Sequence, residues 1–160
     1  MDEHSAPVST PATRDAQRLG IPHEVTRHEP VGSLAEAAAA RGLLTRDVVK
    51  TLVVRRGEQD HVLVLVPGDR AISWPKLRAL LGVNRLSMPP AEIAREATGY
   101  ERGTITPLGS THAWPVILDV SATGRTISVG GGAHGVAITL AADDLTAALG
   151  AVVADVTDPL

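Results

Sequence analysis

The chain has 160 residues, which suits one domain with a full hydrophobic core. Hydrophobic residues make up 44% and exclude a disordered chain, while aromatics at 2%, with no Phe, leave the core to Val, Leu, Ile and Ala and argue against a binder that stacks exposed bases. A net charge of −3 excludes bulk coating of DNA or of an anionic membrane but leaves room for a small basic patch, and the absence of Cys removes disulfides, Cys-based zinc sites and a thiol nucleophile.

The first ten residues, MDEHSAPVST, are polar and partly acidic, unlike a signal peptide, and are expected to form a disordered leader before a single domain over 11–160. No apolar run reaches the ~18 residues of a membrane span, and the missing Cys is compatible with a cytoplasmic location. PATRDAQRL (11–19) predicts a short helix stopped by Gly20, and residues 22–28 a short strand. Ser33-Leu34-Ala35-Glu36 fits a capping box for an alanine-rich helix that runs to Arg41 and ends at Gly42. Thr45 to Arg56 and HVLVLVP (61–67) read as two strands of a hairpin around a turn at 57–60. Neither strand alternates strictly with polar residues, so both faces of the pair are expected to be covered.

Ser73 caps a helix with Pro75 in its first turn that stops at Gly82. A short strand over 85–88 and a helix over 90–97, ended by Thr98-Gly99, lead into a long loop over 99–114. Strands follow at PVILDV (115–120), TISVG (126–130) and VAITL (136–140), then a helix over 141–149 and AVVADV (151–156) as a closing strand or extended tail. Helices mixed with a late cluster of strands give an α+β class.

Four features bear on chemistry. VVKTLVV (48–54) places Lys50 in an apolar strand, on the face of Val48, Leu52 and Val54, where an unpaired ammonium is costly. Only two of the 15 basic residues are Lys, Lys50 and Lys76, so a lysine in a strand suggests a task suited to a compact point charge. GGGAHG (130–135) satisfies G-x-G-x-x-G, but β-rich VAITL follows where a dinucleotide site needs a helix. It is either a glycine turn between strands or a loop that lets a ligand reach backbone amides, with His134 inside it. GTITP (103–107) could aim its middle amides at an oxyanion. His23, Glu24 and His28 miss the metalloprotease spacing by one residue, so no metal ligand and no cofactor are expected. Asp119 is expected to cap the turn towards Gly124, and nothing places Ser128 in a triad.

VVKTLVV (48–54), TGYERGTITPLG (98–109), PVILD (115–119) and ISVGGGAHGVAITLAADDL (127–145), in that order, resemble the YbaK/ProX family of aminoacyl-tRNA deacylases, which includes the editing domain of bacterial prolyl-tRNA synthetases. The resemblance implies a mostly antiparallel, barrel-like sheet surrounded by helices. It implies hydrolysis of the ester of a mischarged tRNA, with Cys- or Ala-tRNA(Pro) as substrates, the acceptor end of aminoacyl-tRNA as partner and prolyl-tRNA synthetase as a further one. Lys50 would contact the terminal adenosine or its phosphate. Gly103, Thr104 and Ile105 would supply backbone amides near the scissile carbonyl, with Pro107 closing that loop. Gly130, Gly131, Gly132 and His134 would border the aminoacyl pocket. Relatives of the YbaK type often carry Ser at the position of Gly130 and a Lys-Arg pair at that of Ala133-His134, departures that permit an alanine-type or broader specificity. The rival from another class is a non-catalytic module that holds aminoacyl-tRNA or a small ligand beside prolyl-tRNA synthetase.

Overall fold

A computed structural model describes residues 8–29 and 34–160. Residues 1–7 of the expected leader and the cap expected at Ser33 lie outside these. Thr10 belongs to the folded unit rather than to a leader. It is buried and caps α1 (Pro11–Arg18): its Oγ1 accepts from the Thr13 N–H at 3.0 Å, while Thr13 Oγ1 accepts from the Thr10 N–H at 2.8 Å.

The chain then runs through β1 (His23–Arg27), α2 (Leu34–Ala40), β2 (Val49–Gly57), β3 (Asp60–Pro67), β4 (Arg70–Ile72), α3 (Trp74–Leu81), α4 (Ala91–Thr98), β5 (Val116–Asp119), β6 (Thr126–Gly130), β7 (Val136–Ala141), α5 (Ala142–Leu149), β8 (Val152–Ala154) and β9 (Thr157–Pro159). Gly82, Gly99 and Gly150 end α3, α4 and α5 in the left-handed conformation, which glycine adopts without a Cβ penalty. Residues 45–47 form a 3-10 turn rather than the start of β2. The strand expected over 85–88 reduces to one bridge, Arg55 to Ser87.

The described strands form three sheets, ordered β1-β7-β6, β2-β3-β5-β8 and β4-β9. The pairs are antiparallel except β3–β5 and β5–β8. The α+β class and the mostly antiparallel pairing are as expected, but the sheets stay open and do not close into a barrel. A bridge between Val48 and Ser128 ties the second sheet to the first.

The hairpin β2–β3 shows why both faces had to be covered. With a period of two, Val49, Val53, Leu63 and Leu65 enter one apolar cluster with β5, β6 and β7. Val54, Val62, Val64 and Val66 enter a second, closed by Leu77 of α3 and by Val156. Two polar ties fasten the C-terminal segment. Lys76 Nζ lies 3.0 Å from both Asp155 and Asp158 and donates to the Thr157 carbonyl at 2.9 Å. The buried Asp119 accepts from the Val156 N–H at 3.1 Å and from the N–H and hydroxyl of Ser121. Burial alone would raise its pKa, but these bonds, with Thr157, hold the carboxyl below the usual range. Asp119 is therefore a structural tie, capping the turn after β5 as its sequence position suggests.

Candidate functional site

β2 is an edge strand. Among the described residues its outer side is bridged only at Arg55, to Ser87, and just before the strand at Val48, to Ser128. Between those bridges it borders a cleft of about 710 Å³, enclosed by α2, residues 88–94, the 102–105 loop and Gly130. Consecutive residues from Val48 to Val53 all line the cleft, because an edge strand presents both faces and its backbone to the same space. The lining is mostly apolar. Its ionisable members are Arg41, Lys50 and Arg102, and no acidic side chain joins them among the described residues.

Lys50 is exposed at the cleft, on the strand face of Leu52 and Val54, and no described residue hydrogen-bonds or ion-pairs with it. The costly burial suggested by its apolar neighbours is avoided because the strand edge is open at this point. Gly103, Ile105 and Gly130 line the same cleft. The two loops touch: a Cβ built on Gly130 would sit 2.8 Å from the Ile105 carbonyl oxygen, so only glycine lets them approach this closely.

The other expected site residues separate from this group. Thr104, Gly132 and His134 line a smaller hollow of about 340 Å³ with Arg95, Tyr100 and Glu101. The Thr104 N–H and hydroxyl both bond to the Glu101 carbonyl, at 3.0 and 2.8 Å, closing the turn on which Gly103 sits at φ +90°. Its amide is thus occupied, which leaves Gly103 and Ile105 as the residues of this loop that line the cleft with Arg102. His134 is exposed, lies 3.4 Å from Glu101 Oε1 and rests against Gly103. Pro107 and Gly131 are buried and line neither space. Gly131 packs on Val136, its carbonyl accepting from Thr10 Oγ1 at 2.6 Å, and Gly132 approaches the Tyr100 ring. Protein contacts therefore account for much of the glycine content of 130–135, which is the loop of the β6–β7 hairpin.

Three residues outside the sequence-based set hold the site. The Tyr100 hydroxyl donates to the Leu108 carbonyl at 2.6 Å and pins the 103–108 loop; burial pushes its pKa up to about 12. Arg41, which the sequence shows only as the end of a helix, donates from Nη1 to the buried Ser128 Oγ at 3.0 Å. The Thr51 hydroxyl is buried beside the cleft without a partner. Arg55, Arg56 and Arg85 line neither space, and Arg56 is held by Asp60 in two bonds of 3.0 Å. His23 lies in a strand, and no metal-binding cluster exists among the described residues.

The family model for the aminoacyl-tRNA editing domain matches residues 28–148. This chain belongs to that family. A proline–tRNA ligase of Thermosipho africanus is 36% identical over 80 residues, 50% of this chain but only 14% of the ligase. An Enterococcus faecalis protein named as a candidate Cys-tRNA(Pro)/Cys-tRNA(Cys) deacylase is 26% identical over 152 residues, covering 92% of this chain and 93% of that one. A crystal structure described as a candidate trans-editing enzyme for prolyl-tRNA synthetase superposes with a TM-score of 0.85 at 28% identity, over 95% of this chain and 99% of that one. The editing-domain match contains the whole of the cleft lining from Ala37 to Gly130. No helix among the described residues is long and apolar enough to cross a membrane.

Proposed function

We propose that this chain is a trans-editing aminoacyl-tRNA deacylase that hydrolyses the ester of mischarged tRNA, with Cys- or Ala-tRNA(Pro) as substrates. The observation that carries this reading is the convergence of Lys50, Gly103, Ile105 and Gly130 on one cleft, with no acidic lining among the described residues, in a member of the editing-domain family. The name of the Enterococcus relative supports the same reaction, and that of the superposed structure supports a working partnership with prolyl-tRNA synthetase.

In this reading water, or a group of the substrate, adds to the ester carbonyl carbon. The bond to the ribose oxygen then breaks, releasing the free amino acid and restoring the tRNA hydroxyl. Lys50 anchors the terminal adenosine or its phosphate. The Gly103 and Ile105 amides stabilise the tetrahedral oxyanion, while Thr104 and Pro107 hold their loop in shape. Gly130 borders the aminoacyl pocket, Gly131 and Gly132 hold its loop in place against Val136, Thr10 and Tyr100, and His134 supports Gly103 from outside. Excluding one methylene-sized increment is worth only ~1–3 kcal/mol, so the acceptor stem supplies a second filter.

The test is loss of the ester bond from Ala- and Cys-charged tRNA(Pro), with wild type and Lys50→Ala compared. Losing one charge-assisted contact should slow the variant by roughly 10–100-fold. Because Lys50 is exposed and unpaired, its thermal unfolding should match wild type. A Lys50→Ala variant as fast as wild type removes the residue from the mechanism. Binding of charged tRNA without hydrolysis makes the chain a carrier module instead.

A further inference from the structure

Arg41 has no part in the mechanism above, yet it is the most enclosed of the three cations that line the cleft. Its Nη1 bond to Ser128, itself fully buried on β6, fixes the guanidinium against the wall. No carboxylate pairs with it among the described residues, and its Nε is buried without a partner. Burial lowers its pKa, but an arginine stays charged at neutral pH even so. A partly desolvated charge without a counter-ion is unfavourable unless an anion arrives to meet it. Thr51 lines the same cleft and is nine-tenths buried, and its unpartnered hydroxyl is a neutral donor of the kind phosphate oxygens accept. The rest of the ionisable lining, Lys50 and Arg102, is also cationic, in a chain whose net charge is −3.

A polynucleotide end carries one phosphate per nucleotide into any cleft that takes its last residues, whereas small amino acids bring no second anion. Resting on the deacylase reading, we propose that Arg41 is a substrate-binding residue that takes a backbone phosphate of the tRNA 3′ end, with the Thr51 hydroxyl as its companion donor. Lys50 and Arg41 then hold the single strand at two points, one exposed and one enclosed. Ser128, with no catalytic part, is the positioning residue that keeps the guanidinium aimed.

The experiment uses an uncharged acceptor-stem minihelix with its single-stranded 3′ end, titrated by fluorescence anisotropy over a range of salt. It needs no ester and no hydrolysis. Arg41→Gln should weaken Kd about tenfold, the loss of one charged hydrogen-bond pair. It should also lower the slope of log K against log salt by ~0.7, the single-strand value for one phosphate. Arg41→Lys keeps the charge and should restore most of that slope. Thermal unfolding of each variant separates binding loss from fold loss. An unchanged Kd and slope for Arg41→Gln overturn the proposal, as does equal weakening by Gln and Lys with the slope intact, the mark of a packing role. Absence of wild-type binding also overturns it. Arg41-dependent binding without deacylation of any charged tRNA leaves the phosphate site standing and removes the catalytic reading. An effect confined to Asp- or Glu-charged RNA moves Arg41 to the amino-acid side chain and overturns the phosphate assignment.

Discussion

Gly130→Ala tests the contact between the two loops that shape the cleft. The added Cβ would lie 2.8 Å from the Ile105 carbonyl oxygen and 3.4 Å from that of Thr104. A comfortable carbon–oxygen approach is about 3.3–3.6 Å, so the 103–107 loop must retreat by roughly 0.5 Å. It is pinned on its far side by the Tyr100–Leu108 bond and by the Gly109 N–H donating to Asp15 at 2.8 Å, so the retreat is resisted. Forced overpacking of this kind costs about 1–3 kcal/mol. At about 2–4 °C per kcal/mol for a chain of this size, Tm should fall by roughly 2–12 °C in thermal unfolding. A misplacement near 1 Å costs about 10²-fold in rate, so half of that should slow deacylation roughly tenfold if the Ile105 amide holds the oxyanion. Gly57→Ala is the control: its nearest neighbour would be Asp60 Cβ at 3.8 Å, and it should stay within about 0.5 kcal/mol of wild type. A Gly130→Ala protein with wild-type Tm would show that the loops do not touch as described. One with lowered Tm and full activity would separate the loop from the chemistry.

Tyr100→Phe removes the donor to the buried Leu108 carbonyl and should destabilise by about 1–3 kcal/mol in urea unfolding, with deacylation impaired through the loosened loop. His61 is buried edge-on against Trp114, and neither ring nitrogen has a partner; burial, then the charge of Arg55, depresses its pKa. The unfolded chain therefore binds the proton more readily, and stability should fall as pH drops below the ordinary histidine value of about 6.5. His61→Leu should flatten Tm against pH between about 7 and 5, and an equally sloped profile in that variant would acquit His61. Asp119 acts lower on the scale: its depressed pKa adds stability above the ordinary carboxylate value of about 3.9, lost as pH falls through the folded value. Asp119→Asn should weaken that acid limb of the profile.

What the sequence disclosed was local. The β2–β3 hairpin follows from two apolar runs and the turn between them, and the helix stops at Gly82 and Gly99 from the freedom of glycine at positive φ. The pairing of β3 with β5, and of β5 with β8, joins segments about 50 and 35 residues apart in parallel, and no periodicity within a strand names its partner. The three-residue strands β4 and β9 are too short to carry a pattern and exist because they pair with each other. The expected site divides for a similar reason. Gly103 and Ile105 face the cleft while Thr104, between them, points the other way and closes its own turn. A motif read as a string cannot show that alternation.

The cations make the same point with a functional consequence. Counting them gave Lys50 as an anomaly but could not separate it from Lys76. The fold does: Lys76 is held by Asp155 and Asp158, an assignment that fastens α3 to the C-terminal strand. Lys50, Arg41 and Arg102 have no carboxylate partner among the described residues, and all three open on one cleft without an acid. A charge that the protein does not neutralise is available to a ligand, so pairing, not abundance, marks the site. Arg41 had no local signal because its meaning depends on Ser128, 87 residues away, which reaches it only after β6 bridges to the start of β2. Lys50 is legible from its own strand, whereas Arg41 becomes legible only once the two sheets have met.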